Sequence, residues 1–155
     1  MKEDIQGSEI LLEISAYLTG FEKADLLGTG MLDPYYRYTV KQYVDADDSN
    51  TLQSFLMESK KIVDECAPDE DAVITAVKDR FLPYSKFNAL VTQIVTMWYT
   101  GEWNGNIISI EGHKQGQAYV QGLVWDAAET HPPGAKQPGY GSWAVPPINA
   151  KGTIK

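Results

Sequence analysis

The chain has a single cysteine, Cys66, which excludes an internal disulfide and a cysteine-based metal site. It has only two histidines, His113 and His131. They are widely separated, and neither has a carboxylate at helical ligand spacing, so a metal or acid–base pair built on them is not expected. No apolar run approaches the roughly 20 residues needed to span a bilayer, so direct membrane insertion is not expected. Met1-Lys2-Glu3-Asp4 has neither a basic region nor a long apolar stretch behind it, so no export signal is visible. Basic residues are also scarce: 13 against 21 acidic ones, for a net charge of −8. Residues 1–112 carry 9 basic and 19 acidic groups, and residues 113–155 carry 4 and 2. Such an acidic body repels phosphate backbones and anionic lipid headgroups, which argues against nucleic acid as a partner.

At 155 residues with 43% hydrophobic content, the chain is long enough to bury a core without staples. Helical periodicity dominates its first two thirds. Ser8 is placed to cap a first helix whose stripe is Ile10, Leu11, Ile14, Tyr17 and Leu18, stopped by Gly20. After a loop at Gly28 and Gly30, Asp33-Pro34 reads as the start of a second helix running to about Val44. The polar break Asp45-Ala46-Asp47-Asp48-Ser49-Asn50 precedes a third, with Leu52, Phe55, Leu56, Ile62, Val63 and Cys66 on one face. Pro68 opens a fourth, whose acidic first turn suits the helix dipole and whose inward face is Val73, Ile74, Val77 and Phe81. Ser85 to Thr100 is apolar nearly all round and reads as the central helix, ended by Gly101. Ile107-Ile108-Ser109-Ile110 is a short β-prone run. A last helix from about Lys114 to Ala128 would bury Val120, Leu123, Val124 and Ala127. The expectation is all-α: one helical domain of about five to six helices over residues 1–130, with an extended Pro/Gly-rich arm over 131–155.

Candidate chemistry is sparse. Gly28-Thr29-Gly30 begins like a dinucleotide fingerprint, but position 33 is Asp and no strand precedes it, so a turn is expected and no Rossmann-type cofactor site. Cys66 lies on an apolar stripe and reads as a core thiol. The acidic clusters around Asp45–Asp48 and Asp64–Asp71 lack the alternation of a calcium loop and read as solvated helix ends. No catalytic, cofactor-binding or metal-binding residue is singled out.

The aromatics carry more information. All four tryptophans fall within 46 residues: Trp98, Trp103, Trp125 and Trp143. The final quarter joins His131-Pro132-Pro133-Gly134 to Gly139-Tyr140-Gly141-Ser142-Trp143-Ala144-Val145-Pro146-Pro147. Prolines forbid a helix there, and apolar anchors such as Tyr140 and Trp143 are unlike a solvated tail. Such an arm is laid against a surface, the chain's own or a partner's. Trp98, Tyr99, Trp103, Trp125, Pro132, Pro133, Tyr140, Trp143, Pro146 and Pro147 are the candidate partner-binding residues, since aromatics of this kind dominate interfaces. The same residues suit an ordinary core equally well.

Trp98-Tyr99-Thr100-Gly101 after an apolar helix, followed by that arm, resembles the small subunit of membrane-bound, FAD-containing sugar dehydrogenases of the D-sorbitol and fructose type. Leu18-Thr19-Gly20 and Leu32-Asp33-Pro34 look like the opening of that family, and the resemblance spans roughly residues 8–147. It implies an all-helical, non-catalytic subunit that stabilises a large flavoprotein and aids its export, in some complexes beside a cytochrome c subunit. FAD would belong to the large partner, with no cofactor in this chain. The resemblance also implies a periplasmic, membrane-associated address, reached through a leader that has been removed or through shared export. The visible N-terminus by itself implies a cytoplasmic one. Two other readings stand beside it. One is a stand-alone helical module that binds a small sugar, with Trp103 and Trp125 as stacking platforms. The other is an independent enzyme using acidic or histidine groups.

Overall fold

The computed structural model describes residues 2–132 and residue 135. Among the described residues the chain is all-α apart from one two-stranded ribbon. In order, α1 (Lys2–Thr19), α2 (Lys23–Gly28), α3 (Leu32–Asp45), α4 (Ser49–Cys66), α5 (Glu70–Phe81) and α6 (Ser85–Thr100) precede β1 (Glu102–Trp103) and β2 (Asn106–Ile107). Two short helices follow, α7 (Gln117–Val120) and α8 (Val124–Ala127). The chain divides into two compact units, Met1–Thr96 and Met97–Lys155, so the division falls inside α6.

In the first unit, α1 packs on α2, α3, α4 and α5, while α4 also meets α3 and α5. These two 18-residue helices are therefore its hub, rather than α6, which the sequence marks as most central. Leu11, Ile14, Phe55, Ile62, Val73 and Phe81 are buried where these helices meet. Three phenylalanines knit α4, α5 and α6: the Phe55 and Phe81 rings lie 4.9 Å apart, with Phe87 at 5.6 Å from Phe81 and 6.1 Å from Phe55. Such pairs add about 0.5–1.5 kcal/mol each beyond the burial of the rings.

Helix boundaries mostly follow local chemistry, with four differences from expectation. Ser8 lies inside α1, which begins at Lys2, because the stretch before it continues the helix rather than capping it. Residues 23–28 form α2 instead of loop; the Glu22 N–H donates to the Asp25 carboxylate at 3.2 Å, and Lys23 pairs with Glu13 of α1 at 2.6 Å. α3 begins at Leu32, ahead of Asp33-Pro34. Pro68 precedes α5 rather than opening it, since Asp69 is the cap and accepts the Ala72 N–H at 3.1 Å. The α6 span, Ser85–Thr100, agrees with the sequence reading.

Three carboxylates of the acidic clusters, Asp48, Asp64 and Glu65, are held in ion pairs. Arg80 of α5 forks to Glu58 at 3.0 Å and Glu65 at 2.8 Å on α4, and Lys60 meets Asp64 at 2.9 Å. Asp48 accepts the Thr51 hydroxyl at 2.7 Å and the Lys86 ammonium at 3.3 Å. The Thr51 bond first, and Lys86 after it, hold the Asp48 carboxyl below its ordinary range. Burial pushes the Tyr35 phenol upward, so this fully enclosed ring stays neutral.

Among the described residues, Ser59 Oγ in α4 is buried without a hydrogen-bond partner. A buried hydroxyl in that state costs about 1–3 kcal/mol relative to its solvated state. Ser59→Ala is therefore expected to leave the fold as stable as the parent or to stabilise it by about 1 kcal/mol. The check is the urea midpoint; a drop of similar size would mean the hydroxyl has a partner after all.

Asp48 yields a pH prediction. Its folded pKa is depressed, so its contribution is complete above the usual carboxylate value of about 4 and fades as the pH falls through the lowered one. Asp48→Asn should therefore lose less stability than the parent between pH 5 and pH 3, read from urea midpoints across that range.

Candidate functional site

The residues singled out by their aromatic character cluster where α6 ends, within the second unit. Gly101 adopts φ +70°, a left-handed conformation that stops the helix and that an L side chain adopts only with strain. Its N–H returns to the Met97 carbonyl at 3.0 Å, and its own carbonyl accepts the Ile108 N–H at 2.8 Å. Between these points the chain makes a tight ribbon: Glu102 pairs with Ile107 and Trp103 with Asn106. Asn104 (φ 51°) and Gly105 (φ 74°) are both left-handed, as a two-residue hairpin turn requires. The β-prone run was expected at Ile107–Ile110. Only Ile107 of it is strand, because the Asn-Gly turn sets the pairing one step earlier.

The long last helix expected from Lys114 to Ala128 is instead α7 and α8, broken at Gln121-Gly122-Leu123. The break has a cause. The Leu123 N–H donates to the Trp98 carbonyl at 2.9 Å, satisfying an α6 end group that the helix itself cannot reach. This contact brings Gly122 against the backbone of Tyr99: a Cβ at position 122 would lie 2.5 Å from the Tyr99 oxygen. A Cβ on Gly101 would likewise collide with the Ala118 carbonyl group. Two glycines thus let three backbone segments touch.

Met97, Trp98, Trp103, Ile108, Ala118 and Leu123 are buried. At 1% and 5% exposure, Trp98 and Trp103 offer no open ring face, so Trp103 cannot act as a stacking platform in this conformation. Tyr99 is half-buried. Trp125 is half-buried too; its Nε1–H donates to the Tyr119 carbonyl at 2.8 Å, and its ring stands edge-on to Tyr119, 5.1 Å between centroids. Pro132 is buried. Pro133, Tyr140, Trp143, Pro146 and Pro147 lie outside the described residues. The structure thus brings Trp98, Tyr99 and Trp103 together around one helix end, with Trp125 further along the same unit.

The remaining candidates are dispersed. His113 is exposed, its Nδ1 3.3 Å from the Glu111 carbonyl oxygen, and half-buried His131 has its Nδ1 3.4 Å from the Pro132 oxygen. Cys66 is a free, half-buried thiol at the end of α4. Thr29, between Gly28 and Gly30, donates its hydroxyl to the Leu26 carbonyl at 2.6 Å and accepts the Met31 N–H at 3.1 Å, which makes this segment a helix-ending turn. Among the described residues no group of three or more His, Cys, Asp or Glu is placed to hold a metal ion. No described helix is long and apolar enough to cross a membrane.

No family model, no curated protein and no solved structure matches the chain.

Sequence reasoning passed over two features. The Asn104-Gly105 pair between Trp103 and Asn106 is a strong hairpin signal. The apolar pair Val40 and Val44 on α3 was not placed on any face, although their four-residue spacing marks one.

Trp98, Trp103 and Trp125 all lie in the second unit, and no tryptophan precedes residue 98, so tryptophan emission does not come from the first unit. Gly122→Ala should push Tyr99 and Leu123 apart and cost about 2 kcal/mol or more, as overpacking does. Red-shifted tryptophan emission at a lower urea concentration than in the parent would be the sign; an unchanged unfolding curve would mean the break relaxes freely.

Proposed function

We propose that this chain is a non-catalytic accessory subunit of an FAD-dependent sugar or polyol dehydrogenase, held by a much larger flavoprotein that it stabilises. The observation that carries this reading is the Trp98-Tyr99-Thr100-Gly101 segment with the aromatic Pro/Gly sequence beyond it, which resembles the small subunits of such complexes. The use the fold makes of that segment is consistent with it. The Trp98 and Gly101 carbonyls accept the N–H groups of Leu123 and Ile108, and Trp98 is buried, so these residues are building material for a helix end. The acidic character of residues 1–112 agrees with a protein surface as partner rather than a nucleic acid. In this reading FAD and the redox chemistry belong to the large subunit, a cytochrome c subunit completes some assemblies, and the complex works on the periplasmic side of the membrane. The side chains left to grip the partner are Tyr99 and Trp125, half-buried here, together with Tyr140 and Trp143 from the sequence.

Affinity capture of the tagged chain from its native cells, followed by an absorbance scan, tests the proposal directly. A much larger polypeptide with a flavin spectrum is the expected companion. A monodisperse chain recovered with no flavoprotein would overturn the reading. Within an assembled complex, Trp143→Ala is expected to lower assembly severalfold, as the loss of an aromatic anchor does, and to leave flavin reduction per assembled complex unchanged. Equal assembly of variant and parent would remove Trp143 from the interface.

A further inference from the structure

The first unit carries a feature that the accessory-subunit reading does not use. Helices α1, α3 and α4 pack on one another pairwise and leave a seam along their outer side. This seam is a groove of about 530 Å³, lined by Ile10 of α1, Val40 and Val44 of α3, and Leu52, Leu56 and Met57 of α4. Met57 is 75% exposed and Val44 57%, unusually open for large apolar side chains on one face. Tyr36 also lines the groove and is itself buried, its hydroxyl against Gly7 in a place that no larger residue could share.

The shape of the groove selects its occupant. Val40 and Val44 stand four residues apart and form a ridge that another helix can interdigitate with, while Leu56 and buried Leu52, also four apart, line the groove beside it. From Ser49 to Lys60, both lining residues, α4 extends about 16 Å, enough for roughly three helical turns. α5 already packs on α1 and α4 but lines no part of the groove, so a helix laid in the seam would extend the bundle along its uncovered side.

Charge selects further. At the Val44 end, α3 finishes with no basic residue in its last turn, so its negative dipole end is uncompensated there. Exposed Asp45 and Asp47 follow at once, and neither has an ion-pair partner among the described residues. At the opposite end Lys60 is already neutralised by Asp64 at 2.9 Å.

We propose that the seam between α1, α3 and α4 is a docking groove for one amphipathic helix of another protein, apolar along one stripe and basic at the end that meets Asp45 and Asp47. Helix-in-groove recognition of this kind reads apolar anchors at three- and four-residue spacing, while the carboxylates fix direction and speed encounter. The groove lies wholly within the first unit, so the inference stands or falls apart from the flavoprotein assignment.

The test uses the full chain and three fluorescein-labelled synthetic 14-residue peptides, read by anisotropy. One is a Leu/Lys helix with a single apolar stripe, one the same composition scrambled, and one a striped Leu/Glu helix. The striped Leu/Lys peptide should bind at least about tenfold tighter than either other peptide, since it alone satisfies both stripe and charge. Replacing both exposed anchors, V44Q with M57Q, keeps the charge and should weaken it about tenfold, as loss of apolar anchors does. Asp45→Asn with Asp47→Asn should weaken it about threefold at low salt, a difference that closes at high salt as screening takes over. Equal binding of striped and scrambled Leu/Lys peptides, or indifference to the V44Q/M57Q change, would overturn the proposal. So would a parent chain that sediments as a dimer and becomes a monomer with V44Q/M57Q, because a second copy would then fill the seam.

Discussion

Helix α6 ends in carbonyl groups that its own residues cannot satisfy, and the arrangement of residues 97–132 follows from how the chain answers that need. One carbonyl, that of Trp98, takes its hydrogen bond from Leu123, twenty-five residues further on. To deliver that N–H, the segment before Leu123 must come against the helix end with no side chain in the way, and Gly122 makes this possible. The helix that periodicity would have run through residues 114–128 is broken at that point. A satisfied buried carbonyl outweighs two or three more residues of helix, because leaving such a group unpaired costs about 1–3 kcal/mol while helix propensity is worth tenths per residue. Gly101 serves the same end from the other side, turning the chain so that Ile108 can reach its carbonyl.

In the first unit the governing term is apolar burial, and electrostatics arranges what remains. Leu11, Ile14, Phe55, Ile62 and Phe81 are essentially removed from water, each worth about 1.5–3 kcal/mol by transfer. The ion pairs lie at the margins: Arg80 to Glu58 and Glu65, Lys23 to Glu13, Lys86 to Asp48. Pairs this exposed add little to stability, but they fix which faces of α4 and α5, and of α1 and α2, lie toward each other. They also consume much of the acidic excess where the helices are closest. Part of the surplus lies at the α3–α4 turn, where Asp45 and Asp47 stand beside uncovered Val44. An apolar face and unpaired charge are thus left side by side, and that pairing, more than either alone, makes the seam suited to a partner helix.

How much of this the sequence disclosed depended on where the deciding interaction lies. Strongly periodic segments declared themselves: α6 runs from Ser85 to Thr100 as its pattern requires, and Val73, Val77 and Phe81 face inward on α5 as their spacing implies. Ends set by local chemistry were legible to within a few residues, as with Gly101 and the Asp69 cap. The break at Gly122 was not, because its cause is a carbonyl at residue 98 that no window around residue 122 contains. The hub role of α1 was hidden for a similar reason. Apolar content marks α6 as the more buried, but the number of neighbours a helix acquires is a property of topology. The aromatic residues show the same division. Composition could only leave Trp98 and Trp103 open between core and interface, and their near-complete burial depends on the ribbon and on Leu123 closing over the helix end.

That division bears on how a functional reading should be held. The Trp-Tyr-Thr-Gly segment draws attention because large aromatics in a short span suggest recognition, yet two of its neighbourhood's three tryptophans within the described residues are needed to build the unit. Substituting Trp98 or Trp103 would therefore lower the yield of any complex by unfolding this chain, whatever the partner. Such a result would not discriminate between an accessory subunit, a sugar-binding module and an enzyme. Residues whose side chains are exposed or half-buried carry the discriminating power, because they can be changed without disturbing the helix end. Trp125 is the informative tryptophan on that ground: its indole N–H is held by Tyr119, but part of its ring remains accessible. A sugar ligand stacked there would perturb Trp125 emission with the chain alone. A subunit contact would perturb it only when the large partner is present.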